Sequence, residues 1–99
     1  MNFKEIQQSL VEDAKRNPKK YPVRFDHCFA RILLDQFFQD KWTNHLEKPA
    51  YKNLNPTQLS EIKRLHDQMI QSPELSFEWN RESLKWRNKL KNKGKQKEW

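Results

Sequence analysis

The amino-acid sequence predicts an all-α protein, a small bundle of three to four helices with a basic, partly disordered C-terminal tail. Three observations carry this expectation. Apolar residues recur at three-to-four-residue spacing, the period of a helix with one buried face. The periodic segments are bounded by prolines and by capping residues. One glycine in 99 residues leaves few positive-φ positions for tight β-turns, phosphate cradles or barrel corners.

The first segment runs from Asn2 to Asn17, with Phe3, Ile6, Leu10, Val11 and Ala14 on one side. Asn2 followed by Glu5 has the spacing of a capping box, and Asn17-Pro18 ends the helix because the residue before proline is pushed out of the helical region. A second helix is expected from about Phe25 to Leu46, the most apolar stretch, where Phe25, Cys28, Phe29, Ile32, Leu33, Phe37, Phe38, Trp42 and Leu46 cover a wide arc. Lys48-Pro49 breaks it, and Pro49 to Leu54 is expected as a loop or a single turn. Asn55-Pro56-Thr57-Gln58 then combines an N-cap, a proline at the first helical position and a glutamine three after the cap. The stripe Leu59, Ile62, Leu65, Met69 and Ile70 follows and is expected to pack on the second helix. Ser72-Pro73 closes that helix and opens another over about Glu74 to Leu90, for which a helix is favoured because a lone strand would have no partner. The expected division is a helical domain over 1–90 and a basic flexible tail over 91–99.

A domain of this size buries only about 60–65% of its unfolded surface. With 34% hydrophobic and 33% charged residues, the core leans on four Trp, six Phe and two Tyr. Residues 1–80 carry twelve Lys and Arg against eleven Asp and Glu, a net of +1, whereas residues 81–99 carry eight against two, a net of +6. The basic character therefore belongs to the tail. No apolar run approaches the ~20 residues of a membrane span. Cys28 is the only cysteine, and no secretory signal is evident, so an intracellular, cytoplasmic location is expected.

Four groups of residues carry chemistry worth weighing. In Asp26-His27-Cys28, helical neighbours project about 100° apart, so His27 and Cys28 are poorly placed to form a Cys/His nucleophile pair, and Cys28 is expected to be buried and unreactive among Phe25, Phe29 and Ile32. His27, Arg31 and Asp35 stack at four-residue spacing and are a candidate polar site, against the plainer alternative of an ion-paired stripe. The three His and one Cys have no zinc-ligand spacing, and His66-Asp67 has no companion histidines of a metal phosphohydrolase, so no metal and no cofactor is expected. Arg81, Lys85, Trp86, Arg87, Lys89, Lys91, Lys93 and Lys95 mix cations with a ring, as nucleic-acid binders do, whereas Trp79 and Trp86 also fit one core-facing helical stripe. Lys15, Arg16, Lys19 and Lys20 would extend a basic surface if the end of the first helix lay near the tail.

The string Phe25-Asp26-His27-Cys28-Phe29-Ala30-Arg31-Ile32-Leu33-Leu34-Asp35, with Trp42, His45-Leu46, Lys48-Pro49-Ala50-Tyr51-Lys52-Asn53-Leu54 and Gln58-Leu59, resembles a small family of uncharacterised proteins over about residues 24–70. The resemblance implies no activity, cofactor or catalytic residue. An acetyltransferase label on such relatives would not suit this chain, which lacks a Gly-rich pyrophosphate loop. The expected function is a noncatalytic interaction protein, an adaptor or small subunit that binds another protein through exposed aromatics such as Trp42, Tyr51 and Trp99. Binding of nucleic acid or another polyanion through the basic, Trp-containing C-terminal segment is the alternative. An enzyme built on His27, Arg31 and Asp35 is the least favoured.

Overall fold

The structure, a computed structural model, describes residues 1–88 and is helical with no strand among them. Five α-helices follow in chain order: α1 Phe3–Arg16, α2 Asp26–Phe38, α3 Ala50–Asn53, α4 Pro56–Gln71 and α5 Glu74–Trp86, with a 3-10 turn at Trp42–Asn44. The count exceeds the expected three to four because Ala50–Asn53 closes one α-turn behind a cis Lys48-Pro49 bond.

The expected caps form. Asn2 accepts from the Glu5 amide at 2.8 Å while the Glu5 carboxylate accepts from the Asn2 amide at 2.9 Å. Asn55 and Gln58 repeat the arrangement at 2.7 and 2.9 Å, with Pro56 opening α4. Each box satisfies amide donors that a helix start leaves without intrahelical partners.

Helix α2 is the hub and packs against α1, α4 and α5. Its Phe29, Ile32, Leu33 and Leu34 are fully buried and meet Phe3, Ile6, Leu10 and Ala14 of α1, Ile62 and Met69 of α4 and Trp79 of α5 in one apolar cluster. Tyr21 seals one edge with its ring edge-on to Phe29 at 5.3 Å. Leu59, Leu65 and Ile70 pack at the margin of this cluster, half-buried. Helix α5 lies on α2 through Ser76, Trp79 and Ser83, at i, i+3 and i+7; two fully buried serines leave room for the helix axes to come close.

The second helix is shorter than its apolar arc predicts. Gln39 adopts the left-handed conformation (φ 56°, ψ 39°), and the Trp42 amide is taken by the Asp35 side chain at 2.8 Å, so the helical ladder stops and restarts as the 3-10 turn. Asp40 holds that turn through Asn44 and His45. At the other end Phe25 is the N-cap and is 64% exposed instead of buried. Cys28 is half-buried, a correction to the fully buried position expected, because the first turn of α2, where Asp26 and His27 are exposed, lies at the edge of the core.

Among the described residues no helix is long and apolar enough to cross a membrane. Helix α5 ends at Trp86 rather than continuing to Leu90. Lys89, Lys91, Lys93, Lys95 and Trp99 lie outside the described residues, as does the expected tail over 91–99.

Candidate functional site

The predicted stripe His27, Arg31 and Asp35 is divided among three environments. Asp35 is fully buried and accepts four hydrogen bonds: from Arg87 Nε at 2.7 Å and Nη2 at 3.0 Å, from Ser83 Oγ at 2.6 Å and from the Trp42 amide at 2.8 Å. It therefore joins α2, the 3-10 turn and the end of α5. This is a structural ion pair with no opening for a ligand at the carboxylate. Arg31, one turn earlier, donates to Ser83 Oγ and to Asn80 Oδ1, each at 2.7 Å. Both of its acceptors are neutral, and burial pushes its guanidinium down from the ordinary arginine value. Arg87 pairs with Asp35 directly and Arg31 reaches it only through Ser83 Oγ, so two guanidinium groups share one carboxylate and the α2–α5 seam keeps a positive balance. His27 stands outside the network, with 79% of its side chain exposed and its ring stacked on Phe25 at a 5.9 Å centroid distance.

His27 and Arg31 do come together elsewhere. They form one wall of a cavity of about 320 Å³, with Ala30 and Leu34 of α2 beside them. Phe3 and Gln7 of α1 form a second wall, and Trp42, Lys48, Pro49, Ala50 and Tyr51 close the third side. The floor is apolar: Phe3, Leu34 and Ala50 are buried, and Trp42 is half-buried. The rim is basic. Lys48 and Arg31 line it, and Lys4 sits over the exposed Tyr51 ring at 4.2 Å from its centroid. No Asp or Glu side chain is among the lining residues.

The C-terminal aromatic and basic residues are less available than their spacing suggests. Trp79 is buried in the core and Trp86 half-buried. Arg87 is committed to Asp35, so of the described candidates Arg81 and Lys85 remain as exposed cations. Lys15, Arg16 and Lys19 are exposed, while Lys20 is held by Asp13 at 2.6 Å.

The sequence reading missed Ser83 and Asn80, neutral residues on α5 whose function depends on which helix faces them, and missed Ser9, which meets His66 across 57 positions. Among the described residues no group of three or more His, Cys, Asp and Glu side chains is placed to hold a metal ion. Compared with known protein families, curated proteins and solved structures, the chain gives no match, and its chemistry rests on its own residues.

Proposed function

We propose that this protein is an interaction module whose groove between α1, α2 and the Trp42–Tyr51 segment docks a short acidic and apolar segment of a partner protein. One observation carries this reading: an apolar floor under a basic rim, with no carboxylate lining it. An apolar side chain of the partner fits the floor of Phe3, Leu34, Trp42 and Ala50. Its flanking carboxylates meet Arg31, Lys48 and Lys4, where charge-assisted hydrogen bonds are shorter and stronger than neutral ones. Arg31 suits this role because its present acceptors are neutral, so an incoming carboxylate offsets the positive balance at the seam. Aromatic and arginine anchors at such a concave site are the residues that most often dominate binding energy. The net +6 of residues 81–99 adds long-range attraction for the same acidic partner and speeds encounter at low salt.

The test is fluorescence anisotropy with a labelled peptide in which a Leu-Phe pair is flanked by Asp on both sides, against a counterpart flanked by Lys. The Asp peptide is expected to bind at least ~10-fold more tightly, which corresponds to about 1.4 kcal/mol. Lys48→Glu and Tyr51→Ala, both at exposed positions, are each expected to weaken it several-fold without altering the fold. Equal affinity for the two peptides, or no effect of either substitution, would refute the assignment.

A further inference from the structure

A second cleft, of about 420 Å³, opens between the C-terminal halves of α1 and α4, lined by Ser9, Asp13, Arg16, Lys20, His66, Asp67, Ile70 and Gln71. Ser9 lies two residues from Gln7, about 200° around the helix, so this cleft is on the opposite face of α1 from the groove described above. Within it Ser9 Oγ is 3.2 Å from His66 Nε2, and His66 Nδ1 is 2.9 Å from Asp67 Oδ1.

The charge on Asp67 sets the direction of its hydrogen bond with His66. Lys63 holds both Asp67 oxygens at 2.8–2.9 Å, and with His66 it keeps that carboxyl below the usual carboxylate range. An ionised carboxylate only accepts. His66 therefore donates from Nδ1, and in the neutral imidazole the Nε2 lone pair then faces Ser9 and accepts from its hydroxyl. His66 is buried, with 6% of its side chain exposed, so the imidazole is held in one orientation, while Ser9 is half-buried and borders the cleft. A serine hydroxyl aimed at a base that is itself oriented by a carboxylate is the arrangement nucleophilic acyl transfer requires.

We propose that Ser9 is an acyl-accepting nucleophile toward small carboxylic esters, with His66 as its general base and Asp67 as the residue that positions His66. Ser9 Oγ attacks the ester carbonyl as its proton passes to His66 Nε2. The negative charge that develops on the carbonyl oxygen lies in a cleft that also contains Arg16, whose side chain is 69% exposed and only loosely held by Asp13 at 3.7 Å. The tetrahedral adduct collapses by breaking the bond to the alkoxy group, which leaves as the alcohol with the proton from His66. The acyl group remains on Ser9 until a water, giving its proton to His66, attacks the acyl carbon; the bond to Ser9 Oγ then breaks, His66 returns the proton to Oγ, and the carboxylic acid leaves.

The experiment uses the full chain with p-nitrophenyl acetate, following p-nitrophenol release and locating the acetyl group by peptide mass spectrometry; a fluorophosphonate probe is applied in parallel. The expected result is acetyl and phosphonyl adducts on Ser9, absent in Ser9→Ala. Asp67→Asn, at a half-exposed position, is expected to slow acylation of Ser9 by ~10²-fold or more while the melting temperature stays within a few degrees. A merely structural tie between α1 and α4 would not produce that split. Acetylation confined to lysines or to His66, or Asp67→Asn acylating Ser9 at the unmodified rate, overturns the proposal.

Discussion

Asp35→Ala removes one carboxylate and leaves three donors behind. Arg87 keeps its charge with only 19% of its side chain exposed, and Ser83 Oγ and the Trp42 amide lose an acceptor that was itself wholly buried. Breaking a buried pair by deleting one partner costs about 3–5 kcal/mol, because the other charge remains desolvated. A domain of this size has a total stability of about 5–13 kcal/mol, so roughly a quarter or more of it is at stake. At about 4–8 °C per kcal/mol, the melting temperature followed by far-UV circular dichroism is expected to fall by about 12–40 °C. Arg87→Met should cost at least as much, since the carboxylate it abandons has no solvent access. Replacing both together, Asp35→Leu with Arg87→Met, should recover a large part of either loss, because neither member of the pair is left charged without its partner. A fall below ~4 °C for Asp35→Ala, or a double variant as unstable as the sum of the singles, would show that the pair does not hold α5 to α2.

The same contact sets the position of the shortest stable chain. A chain ending at Trp86 lacks Arg87 and should be less stable than one ending at Asn88 by about as much as Arg87→Met costs. Gln39→Gly should stabilise the protein by about 0.5–1 kcal/mol, measured by urea unfolding, because Gln39 occupies the left-handed region at a steric cost that glycine avoids. Asp13 predicts both an acid and an alkaline limb. Hydrogen bonds from Lys20 and Tyr21 hold its carboxyl below the usual range, so the stability it provides is present above about pH 4 and lost as pH falls through the lowered value. Burial and the bond to Asp13 push the Tyr21 phenol up, so its contribution is present below about pH 10 and lost as pH rises beyond that. Tyr21→Phe should remove the alkaline loss, read from the urea midpoint across pH, and an unchanged alkaline limb would count against the pairing.

The helix starts at Asn2 and Asn55, the stop at Asn17-Pro18 and the apolar stripes of α1 and α4 were legible in the sequence because they are decided locally: a cap and its partner are three residues apart, and a stripe repeats every turn. The break after Phe38 was not. Nothing local forbids helix from Gln36 to Leu46; what ends it is Asp35 capturing the Trp42 amide, and Asp35 takes that position because Arg87 and Ser83 reach it across 52 and 48 residues. The His27–Arg31–Asp35 stripe shows the same division. Four-residue spacing placed the three on one side of α2, but the depth of each was set by what lay opposite. Ser83 and Asn80 of α5 and Arg87 at its C-cap cover Arg31 and Asp35, while α5 does not reach His27, which is left to line the groove. In sequence His66 reads only as half of a His-Asp dipeptide without companion histidines, and Ser9 as a polar residue on an amphipathic helix. Only the packing of α1 on α4 brings the hydroxyl to the imidazole, because a hydrogen bond needs an approach of about 3 Å and helical periodicity fixes angles about an axis, not distances between axes.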